Sequence, residues 1–362
     1  MGKVKISGGG RCNVTHALYN PKDLVKYYPR GEKELLGPFT KFQPGDTIAW
    51  FEKRGVELKV EEDGRMFPLS DKSQTIMDCF ESERQKWGVD LKLNYNLISI
   101  EIKENRFMLV FENGYSIVAE QLIITVGSSE KIWKLIHSLG HTIVAPVPSL
   151  FTFNISDPRL IGFAGVSWPN AEVKLQGTTF KSSGPLLITH WGLSGPAILR
   201  LSAFAARELF NLNYQAGIII NFMSPYSTNE VTEQFSDYKM ENPNKSVSTY
   251  LPIGFTQRIW VAWLALLGFG QKRWQEMSVK SITVLAEALT KGNFQLNGKS
   301  TFKDEFVTSG GVSLKEIDMK TMQSKLIPNL FFAGEVLDID AVTGGFNFQA
   351  AWTTGWIAGS NE

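Results

Sequence analysis

The C-terminal part of the chain carries the segment that most constrains the fold. An apolar run, Leu330 to Ala333, leads into Gly334-Glu335, and Gly344-Gly345 then opens a helical stretch from Asn347 to about Ala358. The start of that helix offers unpaired N–H groups and the positive end of a dipole. A buried strand, a loop and a glycine-opened helix therefore predict an α/β domain with an anion-binding turn.

A second glycine-rich segment stands at the start of the chain. Lys3 to Ser7 has the pattern of a short strand and runs into Gly8-Gly9-Gly10-Arg11. Three glycines let backbone N–H groups approach an anion, and Arg11 can pair with a phosphate. A tight surface turn is the alternative. The loop is not a GxGxxG fingerprint, because the third glycine would fall at Asn13. The sequence contains no GxGxxG motif elsewhere.

Two weaker candidates lie between these segments. The apolar run Gln121 to Val126 is typical of a strand buried on both faces, and Thr125 and Gly127 at its end let the backbone pass close to a cofactor. His190 precedes a glycine loop and is the one candidate for a catalytic side chain. A structural role is the alternative for His190.

The C-terminal segment suits two demands of a flavin cofactor. Glu335 can hold the hydroxyl groups of the ribityl chain, and the helix start can stabilise negative charge on the reduced ring. A packing motif with a glycine loop is the alternative, and the residues alone leave both open.

Composition excludes several classes of protein. The charge sum over 362 residues is 37 − 36 = +1, without a basic stripe, which argues against a nucleic-acid partner. Four histidines without ligand spacing argue against a metal site. Cys12 and Cys79 form no CxxC pair and are expected to be inert thiols of a reducing, cytoplasmic compartment. The longest apolar run, Ile259 to Gly270, is too short for a bilayer, so no membrane partner is expected.

The motifs together resemble one family of bacterial flavoproteins, the aminoacetone-oxidase-like FAD-dependent oxidoreductases, which also include bile-acid-reductase-like members. The resemblance spans nearly the whole chain. Its motifs are Ile6 to Thr15, Asp63 to Pro68 with Ser70 to Lys72, Leu139 to Thr142, Thr189 to Arg200, Thr308 to Ser313, and Ala333 to Trp352.

The resemblance implies an α/β fold in which a two-part, glutathione-reductase-like Rossmann domain binds FAD and carries two inserts. The parts would be residues 1–148 and 310–362 for the FAD-binding domain, 149–225 and 293–309 for a β-barrel-like insert, and 226–292 for a helical insert. The residues implied to bind FAD are Ser7, Gly8, Gly9, Arg11, Thr125, Gly127, Gly334, Glu335, Asp340, Gly345, Phe346, Asn347 and Gln349.

The chain departs from this pattern in two places. The family begins with a strand, a GxGxxG turn and a helix, and their absence is a loss of roughly 30 residues or more. We therefore expect a truncated reading frame. In addition, Val126 to Glu130 runs almost directly into a helix, where the family has a longer loop.

Two functions follow from different classes. The first is an FAD-dependent oxidoreductase that transfers a hydride between a small organic substrate and the flavin. The alternative is a truncated remnant that lacks FAD and acts as a non-catalytic binding module. The identity of the substrate, the direction of the reaction, the use of NAD(P)H and the oligomeric state stay open.

Overall fold

The computed structural model describes residues 1–300 and 307–360. Contacts divide the chain into two units, Met1–Val147 with Val307–Glu362, and Pro148–Phe306. The first unit therefore joins both ends of the chain, and the second is a continuous insert. The finer division of that insert into barrel-like and helical domains stays a prediction, because one hydrophobic core cluster includes residues of both parts.

The first unit holds seven α-helices among the described residues, and none of its described strands is longer than 7 residues. The helices are Gly2–Gly10, Pro21–Leu24, Glu32–Lys41, Pro44–Glu52, Ser73–Lys86, Glu130–Ser138 and Phe346–Gly359, with 3-10 turns at Val25–Tyr27, Leu314–Glu316 and Gly334–Val336. The strands are Thr15–His16, Leu58–Val60, Arg65–Pro68, Leu97–Lys103, Arg106–Phe111, Ser116–Ala119, Leu122–Ile124, Ile143–Ser149, Val307–Val312, Ile317–Asp318, Gln323–Ser324 and Leu330–Phe332.

A parallel pair of strands positions the predicted site. Leu330–Phe332 lies beside Leu122–Ile124, with Phe331 opposite Ile123. The latter strand is the last in its four-stranded sheet, and the Ile123 side chain is 42% exposed. The prediction that this strand is buried on both faces was therefore wrong. A continuous apolar run gives no information about whether a second neighbour exists.

Two local predictions in the first unit had opposite outcomes. Asn-Gly between two alternating runs predicts a hairpin turn, and Asn113-Gly114 does form one between Arg106–Phe111 and Ser116–Ala119, with Gly114 at φ +81°. Lys3 to Ser7 is not a strand, because residues from Gly2 onward form a helical turn that ends at Ser7. A run of five residues is too short for its periodicity to separate the two structures.

The second unit is built on one antiparallel sheet of seven strands. Their spatial order is Gly292–Asn297, Gln215–Asn221, Ser167–Leu175, Lys181–Ile188, Gly192–Ser194, Thr152–Asn154 and Lys299–Ser300. The two outer strands are consecutive in the chain and joined by Gly298, so the sheet curls until its ends meet. From Pro146 onward the sequence, with short strands separated by glycine, proline and asparagine, predicts a small barrel or a sandwich.

Helices cover this sheet and complete its core. They are Pro196–Phe204, Ala206–Asn211, Thr228–Glu241, Gln257–Leu266 and Val279–Thr290, with 3-10 turns at Val247–Thr249 and Trp274–Glu276. The sequence predicts one helix over 197–210, and the structure has two helices that meet at Ala205. The sequence also predicts β structure over 294–306; strands are present up to Ser300, and residues 301–306 lie outside the described residues.

Candidate functional site

The N-terminal glycine loop follows a single helical turn. Ser7 is extended at φ −62° and ψ 147°, its hydroxyl donates to Val4 O at 3.0 Å, and the three glycines after it have φ between +57° and +86°. A Cβ on Gly8 would lie 2.9 Å from the ring of Phe67, whereas Cβ atoms on Gly9 and Gly10 would meet nothing within 4 Å. The backbone of Gly9 and Gly10 is therefore open to a ligand, and Gly8 is required for packing.

Arg11 is engaged by protein carboxylates. Its Nη1 donates to Glu61 Oε1 at 2.6 Å and lies 3.6 Å from Asp71 Oδ1, and its guanidinium lies 4.0 Å from the centre of the Phe67 ring. The hydrogen bond to Glu61 raises the pKa of Arg11. Glu61 occupies one donor nitrogen of Arg11, and the phosphate-binding role of Arg11 stays a prediction.

The residues after this loop fasten the two ends of the chain together. In the amide orientation that satisfies its neighbours, the side-chain oxygen of Asn13 accepts from Gly345 N at 2.9 Å. A Cβ on Gly345, which has φ +90°, would lie 2.4 Å from Thr15 O. Trp352 Nε1 donates to Val14 O at 2.9 Å. The glycine loop therefore leads directly to the start of the last helix.

Glu335 lies in the turn that follows the strand Leu330–Phe332. Its carboxylate forms an ion pair with Lys3, and a Cβ on Gly127 would lie 3.8 Å from Glu335 Oε2. Thr125 is exposed at the end of the neighbouring strand. Gly334 has φ +74° and donates its N–H to Thr354 Oγ1 at 2.9 Å. This hydrogen bond holds the Gly334–Val336 turn against the last helix. The structure thus brings together Thr125, Gly127, Gly334 and Glu335.

Four other predicted FAD-binding residues make contacts within the protein at the start of the last helix. Asp340 is fully buried in an ion pair with Arg30. The Gln349 amide oxygen accepts from Thr15 Oγ1 at 2.6 Å and is buried, and Asn347 binds both backbone groups of Ala341. Phe346, the fourth, is 1% exposed. Direct contact of these side chains with a cofactor stays a prediction that their burial does not favour.

An aromatic stack at the same helix start was missed by the sequence reasoning. The Phe346 ring lies 4.6 Å from that of His16 and 4.4 Å from that of Tyr27. Burial lowers the pKa of His16, and its Nε2 lies 3.1 Å from Asp63 O. The one signal in the sequence that could have pointed to His16 is its position directly after the Ile6 to Thr15 motif.

Residues 1–361 match the profile of the HI0933-like protein Rossmann domain family. The chain belongs to this family. Three curated relatives align over 368 residues. The ribosomal RNA dihydrouridine synthases of Escherichia coli K12 and Haemophilus influenzae are 29% and 27% identical over 98% of this chain, which covers 87% and 88% of their lengths. The 3-dehydro-bile acid delta(4,6)-reductase of Clostridium scindens is 23% identical over 99% of the chain and 88% of its own length.

Solved structures give more distant matches. GidA of Aquifex aeolicus aligns with a TM-score of 0.37 and 12% identity over 99% of this chain. HpxO of Klebsiella pneumoniae, complexed with FAD and uric acid, aligns with a TM-score of 0.28 and 10% identity over 87% of this chain. The chain spans 59% of the length of each.

Membership of the HI0933-like family bears on several predictions. It confirms the predicted fold class, an α/β fold with a Rossmann-type domain, and at the level of the family it agrees with the predicted FAD cofactor, because Rossmann domains bind dinucleotides. The name of the Escherichia coli relative includes RNA, which weakens the prediction of no nucleic-acid partner without overturning it. The cytoplasmic location and the truncated reading frame stay predictions.

Two further residues that the sequence singled out are His190 and Cys12. His190 is exposed in the second unit, where it lines a cavity of about 270 Å³. Cys12 is fully buried, and burial raises its pKa to about 11, which agrees with an inert thiol.

No three His, Cys, Asp or Glu side chains within 1–300 and 307–360 are grouped so as to hold a metal ion. Over the same residues, every helix is too short or too polar to cross a membrane.

Proposed function

We propose that the chain is an FAD-dependent oxidoreductase that transfers a hydride between the flavin and an organic substrate. One observation carries the proposal: within the first unit, the segment that follows the glycine loop is hydrogen-bonded to the start of the last helix through Asn13 and Gly345. Glu335 and Gly127 lie beside one another in the same unit. Two distant parts of the sequence thus supply open backbone, a helix N-terminus and a carboxylate in the same unit.

The open backbone at Gly9 and Gly10, the start of the last helix and the Glu335 carboxylate have the chemistry that the flavin end of FAD needs. The open positions at Gly9 and Gly10 admit a ligand against the backbone. The N-terminus of Phe346–Gly359 can stabilise negative charge, and Glu335 can accept hydrogen bonds from hydroxyl groups once Lys3 moves aside. When bound, FAD supplies the hydride chemistry, and the protein supplies orientation and electrostatics.

The substrate we propose contains a carbon–carbon double bond conjugated to a carbonyl group. The names of the Escherichia coli and Clostridium scindens relatives both describe the reduction of such a bond, in a uridine and in a bile acid. In this reaction the carbon β to the carbonyl accepts a hydride, and the α carbon accepts a proton from water or an acid. The direction we propose is therefore reduction, with a nicotinamide or similar two-electron donor restoring the reduced cofactor.

The alternative of a cofactor-free binding module is not favoured. The family match runs through the glycine loop, the Glu335 turn and the last helix. These elements are also fastened to one another by Asn13 and Trp352.

Replacing Glu335 by glutamine is expected to weaken FAD binding about tenfold to a hundredfold, because a charge-assisted hydrogen bond contributes about 1.5–3 kcal/mol. Replacing Lys3 by methionine is expected to change the affinity less than about fivefold, since exposed ion pairs contribute little. Titration of the purified chain with FAD, followed by quenching of flavin fluorescence, measures both effects. Glu120→Gln, at a side chain 82% exposed in the same unit, is the control.

The proposal fails if the folded wild-type chain stays colourless and leaves FAD fluorescence unchanged. It also fails if the loaded protein, reduced without oxygen, passes no electrons to conjugated carbonyl compounds. Unchanged affinity in Glu335→Gln would reject the role of this carboxylate while leaving the cofactor in place.

A further inference from the structure

The second unit contains a cavity at the end of its barrel-like sheet. Its volume is about 270 Å³, just below the range of about 300–1,000 Å³ typical of pockets for drug-sized ligands. The cavity is lined by Ile155, Leu160, Ile161, Gly162, Ala164, Thr189, His190 and Gly192. Two short segments, residues 160–164 and 189–192, therefore face each other across it.

The loop that carries His190 is held rigidly. Thr189 N donates to Gly192 O at 2.8 Å, which closes the turn, and Ile155 N donates to Trp191 O at 2.9 Å. Gly192 has φ +149°, and a Cβ there would lie 2.3 Å from Phe153 O. Only glycine fits this position, so the sheet fixes the place from which His190 projects.

The opposite wall is also fixed. The Arg159 guanidinium stacks at 3.7 Å on the ring of Phe294 and donates to Asp157, while Arg159 O accepts from Trp263 Nε1 at 2.9 Å. Arg258 donates to Gly162 O on the cavity wall. Both walls are thus preformed, and a ligand would pay little conformational entropy on binding.

The chemistry of the lining combines apolar walls with a few donors. Ile155 and Leu160 are 5% and 3% exposed and form the floor. His190 has no hydrogen-bond partner among the described residues, and the Thr189 hydroxyl accepts only a long contact of 3.4 Å from Trp191 N. Apolar walls with a small number of convergent polar groups are typical of a site for a small organic ligand.

We propose that this cavity binds a single-ring conjugated carbonyl compound, with the imidazole of His190 donating a hydrogen bond to the carbonyl oxygen. The class of compound in this inference rests on the proposed function, and the size of the compound is inferred from the volume of the cavity. A volume of about 270 Å³ accommodates one ring and is too small to enclose a fused four-ring skeleton. His190 is a binding residue that orients the carbonyl.

The test uses the full chain without FAD, with its isoleucine and leucine methyl groups labelled for NMR. The probes are 1-methyluracil and 2-cyclohexenone as single rings and androst-4-ene-3,17-dione as a four-ring enone. Saturable shifts of the Ile155, Leu160 and Ile161 methyl signals are expected with the single-ring probes and not with the four-ring enone. Tighter binding of 1-methyluracil indicates a nucleic-acid base as the source, and tighter binding of 2-cyclohexenone indicates a free metabolite.

Variants locate the binding. Ala164→Leu fills the cavity and is expected to weaken binding at least about tenfold. Ala265→Leu, the same change on an exposed helical face of the same unit, is expected to leave it unchanged. His190→Ala removes one neutral hydrogen bond and is expected to weaken binding about threefold to tenfold, whereas His190→Gln keeps a donor and stays within about threefold of wild type.

The inference is overturned if the single-ring probes leave the three methyl signals unmoved, if Ala164→Leu binds like Ala265→Leu, or if the four-ring enone binds equally well. Because the measurement needs no cofactor, its outcome is separate from that of the FAD titration. Binding here by a chain that cannot hold FAD would retain the cavity and reject the proposed function.

Discussion

Replacing Gly345 by alanine is expected to destabilise the first unit by about 3 kcal/mol and to lower Tm by roughly 5–10 °C. The added Cβ would lie 2.4 Å from Thr15 O, a backbone atom that cannot move independently, and 2.8 Å from the Asn13 side chain. In addition, φ at Gly345 is +90°, a conformation that alanine adopts only with strain. Thermal unfolding followed by circular dichroism measures the change.

The same helix offers a matched control. Gly355 lies in the interior of Phe346–Gly359, and a Cβ there would meet nothing within 4 Å. Gly355→Ala is therefore expected to be neutral or to stabilise the protein by up to about 1 kcal/mol, since glycine is a poor helix former. Equal effects of the two alanines would contradict the close contact between the last helix and the N-terminal segment.

Breaking the buried ion pair between Arg30 and Asp340 has the second large expected effect. The two side chains are 10% and 0% exposed. Arg30→Met or Asp340→Asn removes one charge of the buried pair, and each is expected to lower the free energy of unfolding by about 3–5 kcal/mol. Urea denaturation measures the loss.

The pair also tests whether Asp340 binds the cofactor. The double variant Arg30→Met/Asp340→Leu removes both charges and is expected to lose much less stability than the sum of the single variants. If Asp340 acts through the scaffold, the folded double variant keeps FAD affinity within about threefold of wild type. A loss of FAD affinity in a folded, stable double variant would instead make Asp340 a direct ligand.

Much of the architecture could be predicted because its signals are local. The Asn113-Gly114 turn requires positive φ at the glycine, and Gly114 has it. The Gly344-Gly345 turn and its helix could be predicted because two glycines directly before an apolar helical run indicate the turn at which a helix begins. The change, from Pro146 onward, to short strands separated by glycine and proline lies close to the boundary between the two units.

The side-chain contacts of the candidate site could not be predicted, because they depend on residues far away in the chain. Arg11 was expected to pair with a phosphate because it follows a glycine loop, and the family resemblance implied that Asp340 binds FAD. In the structure Glu61 engages Arg11, and Arg30 engages Asp340. Neither pairing has a signal in sequence spacing. The position of Lys3 beside Glu335 and the stacking of His16 on Phe346 likewise follow only from the fold.

Zero-length carbodiimide cross-linking of Lys3 to Glu335 tests most directly whether the two ends of the chain form the flavin site. Peptide mass spectrometry is expected to find this linkage in the chain without FAD and to find it much reduced at saturating FAD, because the cofactor takes the carboxylate. The ion pair of Lys181 with Glu172, 3.1 Å apart in the second unit, is the control and is expected to link equally in both samples. Absence of the Lys3–Glu335 linkage while the control forms, or an equal yield with FAD bound, would contradict the account.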